Sequence, residues 1–247
     1  MHRETTQSEK LYAKVAARYE QVFERAIMSE NRLTELTRAA MNGRRVLDLA
    51  CGNGRWLGRF QPASYVGVDL NARMLSEARQ RYPSSAFLRG EMTRLPFPDG
   101  AFEGVISMFG AMGHLPPTAQ RAMVRETGRV LAPGGCAIFT NGNMWSPFNL
   151  PTALKGNRVL LEGVFFKVHS STPKRFAQLL DEFEIARLEA YDYSYIPLLP
   201  FKFGASLLGR DYRQVYGRLM ATFDHCRDIA PLQWFGKQLL AVCHKRS

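Results

Sequence analysis

Apolar residues change their period along this chain. Leu11, Val15, Tyr19, Val22 and Phe23 recur at helical spacing, and Leu33, Leu36 and Ala40 continue the stripe, so residues 8–40 read as one or two helices. Beyond residue 40, short apolar runs alternate with helical stretches. Strands are predicted near 45–50, 65–69, 86–89, 103–108 and 136–140, and helices near 54–60, 72–81 and 118–131. This alternation implies an α/β fold, a mostly parallel sheet with helices on both faces. Ligands of such sheets lie outside the carboxyl ends of the strands, where the strand order reverses. A further helix is predicted from Thr172, a cap candidate followed by Pro173 in the first turn, through Phe183. A strand near 186–195 follows it.

Two stretches depart from this alternation. Residues 141–171 hold a Gly/Asn/Pro-rich loop and then the strand-like runs 158–161 and 164–168. Residues 196–233 begin with a Pro- and Phe-rich segment and continue into an amphipathic pattern of Leu208, Tyr212, Val215, Leu219 and Phe223. In and beside the two stretches lie Trp145, Phe148, Phe165, Phe166, Tyr193, Tyr195, Phe201 and Phe203. There is no internal repeat and no low-complexity segment.

At 247 residues the chain suits one well-buried domain, residues 1–247, with insertions. The net charge of +11 is spread over arginines along the whole chain, without the dense basic tract a phosphate track would need. Nucleic acid is therefore a disfavoured partner, though not an excluded one, and an anionic small substrate or acidic surface fits the charge equally well. No run of apolar residues is long enough to span a membrane. The first ten residues are polar, unlike a secretory signal. The cysteines Cys51, Cys136, Cys226 and Cys243 are scattered, which fits reduced, buried residues of a cytoplasmic protein. The five histidines lack ligand spacing, so no metal site is expected.

The chemistry concentrates at Val46-Leu47-Asp48-Leu49-Ala50-Cys51-Gly52-Asn53-Gly54, a buried strand running into a glycine turn that is expected to open a helix. Glycines flanking one small polar residue let backbone approach a ligand where a Cβ would clash. Asp48 at the mouth of the turn calls for a ligand that is at least partly cationic. Further landmarks follow: Tyr65-Val66-Gly67-Val68-Asp69-Leu70-Asn71, Arg89-Gly90-Glu91-Met92, Leu95 to Phe102, and Gly128 to Gly135. In order and spacing this set resembles the class I S-adenosylmethionine-dependent methyltransferases over roughly residues 40–140. A dinucleotide-binding fold also uses a strand, a glycine turn and a ribose-binding acid. Its third glycine would fall at Leu57, and Asp69 serves either cofactor; Asp48 and the Leu-Pro-Phe-Pro-Asp and Leu-Ala-Pro-Gly-Gly segments favour the methyltransferase.

The resemblance implies a Rossmann-like three-layer sandwich whose seven-stranded sheet ends in an antiparallel strand, at Lys237 to His244 here, with a cap formed by the insertions. S-adenosyl-L-methionine is the implied cofactor. Backbone from Ala50 through Gly52, Asn53 and Gly54 would hold its amino-acid end, and Asp48 its ammonium. Asp69 would take the ribose hydroxyls, with Leu70 and Met74 on the adenine. Glu91 and Met92 would bind the adenine edge, and Ser107 to Phe109, including Met108, would lie under the methionine part. Each acid has a plainer reading as well, Asp48 as a turn cap and Asp69 as the cap of the next helix. Tyr12 and Tyr19 resemble family tyrosines that close over the cofactor, or simply pack on the domain; Arg18 meets the cofactor carboxylate or stands in solvent.

The acceptor side is less defined. His114 lies where this family often places a histidine toward the acceptor; it is either a general base or a hydrogen-bonded group that orders its loop. Ser107-Met108-Phe109-Gly110 stands where amino-directed adenine methyltransferases carry an Asp/Asn/Ser-Pro-Pro-aromatic motif, and no Pro-Cys pair offers a carbon-5 nucleophile. The insertions suit a small, hydrophobic or aromatic acceptor. The rival uses of these surfaces are a homodimer interface or a membrane-surface contact through Pro197 to Leu208. Methyl transfer to RNA or protein, and a non-catalytic cofactor-binding module, remain the alternative functions.

Overall fold

The computed structural model describes residues 3–16, 19, 31–147, 149–161, 163–192 and 232–246. The helices are α1 (Arg3–Val15), α2 (Asn31–Met41), α3 (Ala72–Arg81), α4 (Pro117–Val130), α5 (Leu150–Leu154) and α6 (Pro173–Leu179). The strands are β1 (Arg45–Leu49), β2 (Ser64–Asp69), β3 (Ala86–Arg89), β4 (Phe102–Ser107), β5 (Leu131–Gly142), β6 (Arg158–Leu161), β7 (Val164–Lys167), β8 (Phe183–Tyr191) and β9 (Gln238–Lys245). Seven of them form one sheet in the order β3-β2-β1-β4-β5-β9-β8. Strands β1 to β5 pair in parallel, and β9 runs antiparallel to both β5 and β8. The order reverses between β1 and β4, so the two connections leave in opposite directions and open a cleft at those strand ends.

The continuous apolar runs follow from burial on both faces of the sheet. Leu47, Val105 and Ala137 point to one side, against Met123 and Val124 of α4 and Phe176 of α6. Their neighbours Val46, Ile106 and Ile138 point to the other, against Leu33 and Met41 of α2 and Leu75 of α3. Successive residues thus alternate sides while all remain apolar, the pattern of a covered parallel sheet. Each such side chain contributes roughly 1.5–3 kcal/mol of burial. The hairpin β6–β7 stands apart from the main sheet and packs through Phe166 on Leu11 and Val15 of α1.

The main departure from the sequence expectation lies at residues 54–60, where a helix is predicted and turns are found. Only Leu57–Arg59 is helical, and it is a single 3-10 turn. Gly54 N–H bonds to Cys51 O at 3.0 Å and Leu57 N–H to Gly54 O at 3.0 Å, bonds that span three residues instead of the four of an α-helix. Ala50, Gly52 and Gly54 all have positive φ (58°, 56° and 72°), which breaks helical propagation before it starts. Smaller shifts affect the ends of other elements. Helix α6 stops at Leu179 and β8 starts at Phe183, while β5 begins at Leu131 with a register shift against β4. Arg18, Val22, Phe23, Phe148, Tyr193, Tyr195, Phe201, Phe203, Cys226 and the Leu208 to Phe223 pattern lie outside the described residues, as does nearly all of 196–233. Among the described residues no helix is long and apolar enough to cross a membrane.

Candidate active site

A cavity of about 580 Å³ opens at the carboxyl ends of β1, β2 and β4. It sits at the reversal of strand order, where ligands of open α/β sheets bind. Two backbone kinks shape its mouth. Ala50 follows β1 with φ 58°, and Phe109 follows β4 with φ 57°, both in the left-handed region that costs a residue with a side chain energy.

The acids at the first end are held in different ways. Asp69 ends β2, and its two oxygens accept from Gly52 N–H (2.8 Å) and Asn71 N–H (2.8 Å). These bonds lower its pKa, but burial is the larger influence and lifts it above the usual carboxylate range. The helix-cap role belongs to Asn71, whose side-chain oxygen accepts from Arg73 and Met74 N–H at the start of α3. Its amide nitrogen donates to Glu9 O at 2.9 Å, which ties α1 to this corner. Asp48, in the interior of β1, is 2% exposed and accepts from the Tyr65 hydroxyl at 2.7 Å. Burial pushes its carboxyl up to about 7, against the lowering effect of that hydrogen bond.

Most of the residues singled out in the sequence converge on this one cavity. Its wall includes Asp48, Ala50, Gly52, Asn53, Asp69 and Leu70, together with Met74, Met92 and Met108. Tyr12, Tyr19 and His114 close it from the α1 side. Gly54, Glu91 and Ser107 are not in the wall. Gly54 instead faces the rings of Tyr82 and Phe87, where an added Cβ would come within 3.4 Å of each. Ser107 is fully buried, and Glu91 accepts from the Thr93 hydroxyl at 3.4 Å.

His114 is bonded at both ring nitrogens. Ser8 Oγ lies 3.0 Å from Nδ1, and the Tyr12 hydroxyl lies 3.0 Å from Nε2. Tyr12 and Ser8 come from α1 and His114 from a 3-10 turn after β4, so the imidazole links two segments far apart in sequence. Phe166 lies beside the ring, at 5.6 Å between centroids. Burial, with a smaller effect of His169, drops the imidazole pKa to about 4. The ring is therefore neutral near pH 7, with one nitrogen donating and one accepting.

Other wall residues carry weak sequence signals. Arg55 lies over the Phe109 ring at 4.9 Å, and Trp56 meets the same ring edge-on at 5.1 Å. Val159, Leu161, Phe166 and Val168 of the hairpin region give the wall an apolar part, and Ser170 and Gln238 add polar groups. Gln238 Oε1 is buried without a hydrogen-bond partner among the described residues and sits beside Gly110, where an added Cβ would come within 3.1 Å of it. Gln238 reaches the cavity only because β9 inserts next to β5, a pairing no local pattern announces. Among the described residues no cluster of His, Cys, Asp and Glu could hold a metal ion.

Comparison with known proteins agrees with this geometry. Residues 46–135 match the family model described as a methyltransferase domain. A fatty-acid O-methyltransferase of Mycolicibacterium smegmatis is 28% identical over 196 residues, which covers 77% of this chain and 65% of that protein. A phthiotriol/phenolphthiotriol dimycocerosates methyltransferase of Mycobacterium ulcerans is 37% identical over 111 residues, 42% of this chain and 40% of that protein. An S-adenosylmethionine-dependent methyltransferase structure from Thermotoga maritima superposes with a TM-score of 0.63 at 15% identity, covering 96% of this chain and 99% of that one. Residues 46–135 are a methyltransferase domain, and S-adenosylmethionine is the cofactor that this domain and the fold imply. The chain spans less than two thirds of the length of the two curated relatives.

Proposed function

We propose that the protein transfers the methyl group of S-adenosylmethionine to a small hydrophobic or aromatic acceptor. The observation that carries this reading is the two-ended cavity, with fixed carboxylates at the sheet end and the apolar hairpin wall at the other. The names of the mycobacterial relatives, a fatty-acid O-methyltransferase and a phthiotriol/phenolphthiotriol dimycocerosates methyltransferase, support an acceptor of this class.

The residues fit the cofactor. Each oxygen of Asp69 keeps a lone pair beyond its backbone bond, so the carboxylate accepts both ribose hydroxyls. Asp48 pairs with the ammonium group, which restores the ionised form that burial disfavours. Gly52 lies in the cavity wall, and the place of its missing Cβ is taken by the methyl of Met74, which is 2% exposed and backs that loop. Leu70 and Met92 provide apolar surface for the flat base. When bound, the sulfonium supplies an already activated methyl group, so the task of the chain is to align acceptor and donor by direct displacement.

His114 serves in this reading as a positioning residue. Bonded to Ser8 and Tyr12 and held near pKa 4, it is a weak base, but it fixes α1 across the cavity. Gln238 Oε1 offers an acceptor to a hydroxyl or N–H of the incoming molecule. The test is transfer of a labelled methyl group to a panel of fatty acids, phenols and quinols, run beside RNA and protein acceptors. Turnover confined to the lipophilic set is the expected result; turnover only on polymer, or on nothing despite tight cofactor binding, overturns the reading.

A further inference from the structure

The hairpin β6–β7 carries large apolar side chains on both of its faces. Its register pairs Val159 with Phe166 and Leu161 with Val164, and the residues of this face lie against α1 and the cavity. The opposite face pairs Leu160 with Phe165 and Arg158 with Lys167. A hairpin covered on one side should turn polar residues outward, yet Leu160 is 56% and Phe165 63% exposed. Helix α5 packs on β6 and extends the patch with Leu150 and with Leu154, which is 79% exposed. Lys155 and Arg158 stand exposed in the same surface.

We propose that this face docks on an anionic lipid bilayer. Apolar side chains set among cations are the makeup of a surface that lies in the interfacial layer, where the chains enter the acyl boundary and the cations stay with the headgroups. The chain carries a net charge of +11, so the long-range field adds to the local one. A second copy of the chain fits less well. A two-fold interface would press Lys155 and Arg158 against a surface of the same sign. The outward face is also continuous with the cavity, since the inner residues of the same two strands are its apolar wall. Docking there brings that wall to the membrane. The proposal goes beyond the methyl-transfer reading and stands without it, because it rests on the outer face alone.

The test is co-sedimentation of the full chain with vesicles of phosphatidylcholine mixed with phosphatidylglycerol, against pure phosphatidylcholine, at low and high salt. Binding to the mixed vesicles at low salt, weakened by salt, is expected. Leu154→Ser with Phe165→Ser, and separately Lys155→Glu with Arg158→Glu, should each weaken binding by roughly tenfold or more. None of these four side chains lines the cavity, so titration with S-adenosylhomocysteine should be unchanged and serves as the check that each variant is folded. Absence of vesicle binding, or equal binding by all variants, overturns the proposal. A dimer in light scattering that Phe165→Ser dissociates also overturns it, because a second copy then covers the patch. Methyl transfer is read in a separate assay with a detergent-dispersed acceptor, so loss of the functional reading and loss of docking are told apart.

Discussion

At the sheet end of the cavity, both oxygens of Asp69 are held by backbone N–H groups and Asp48 is held by Tyr65. At the hairpin end, the wall is Val159, Leu161 and Phe166; Gln238 Oε1, beside Gly110 in the same cavity, has no partner among the described residues. The first end is anchored to the central strands β1 and β2, the second to a two-stranded hairpin and to the late strand β9. A group fixed by bonds already made loses little freedom when a ligand arrives, so such a site is narrow in what it accepts. A largely apolar wall with few polar groups sets mainly shape, and admits a class of molecules. In the proposed function the first end takes the invariant cofactor and the second the variable acceptor.

The strongest test removes the best-held group at the sheet end. Asp69→Ala should weaken S-adenosylhomocysteine by about a thousandfold in calorimetric titration, since two hydrogen bonds to a charged group are worth roughly 1.5–3 kcal/mol each. Retention of affinity would show that this end is not the fixed one. Asp48 gives the next effect, through pH. Its pKa of about 7 lies above the ordinary carboxylate value, so below pH 7 the free site carries a proton that a cationic ammonium must expel. Affinity for the cofactor should therefore be flat above pH 7 and fall about tenfold per unit below it, with proton release on binding. Asp48→Asn should bind more weakly and lose the slope; an unchanged slope would assign the titration to another group.

The difference between the two ends also explains what the sequence could reveal. Asp48, Gly52 and Asp69 are legible because strand, turn and acid follow one another locally, and the parallel sheet then brings β1 and β2 side by side. The helix expected at 54–60 is absent for a local reason too: the left-handed residues Ala50, Gly52 and Gly54 outweigh the propensity of the residues after them. Asn71 as the true helix cap was within reach, since it immediately precedes α3. The hairpin end was not. Whether Val159 or Leu160 faces the cavity depends on which side of the hairpin α1 covers, and Gln238 enters only through the antiparallel insertion of β9. Both facts rest on contacts between distant segments, which periodicity does not encode.

His114 joins the two ends, and its contribution appears as stability. Its folded pKa of about 4 lies below the unfolded value near 6.5, so the neutral ring favours the folded state fully above about pH 6.5. That contribution is lost as the pH falls toward 4, and between pH 7 and 5 it should diminish by about 2 kcal/mol. The buried acids Asp48 and Asp69 work in the opposite sense, because their raised pKa values favour the folded state as the pH falls. Wild type must therefore be compared with His114→Gln, which retains a donor and an acceptor for Ser8 and Tyr12 without titrating. In denaturant titrations the advantage of wild type over the variant should shrink on acidification; a constant gap would mean that the ring is not held neutral. A fall in kcat of about a hundredfold or more in His114→Gln at pH 8, with cofactor affinity intact, would instead make it a general base.

The smallest effect separates the two ends most cleanly. Gln238→Leu keeps the volume near Gly110 but removes the unpartnered oxygen. An acceptor that donates a hydroxyl or N–H there should lose one hydrogen bond of about 1 kcal/mol, a rise in KM of roughly five- to tenfold. An acceptor without such a donor should bind equally well or better, because the buried oxygen is then only a desolvation cost. Cofactor affinity should not move in either case, since Gln238 makes none of the bonds that hold Asp48 or Asp69. If the substitution weakens S-adenosylhomocysteine as much as the acceptor, the division of the cavity fails, and β9 helps to hold the cofactor as well.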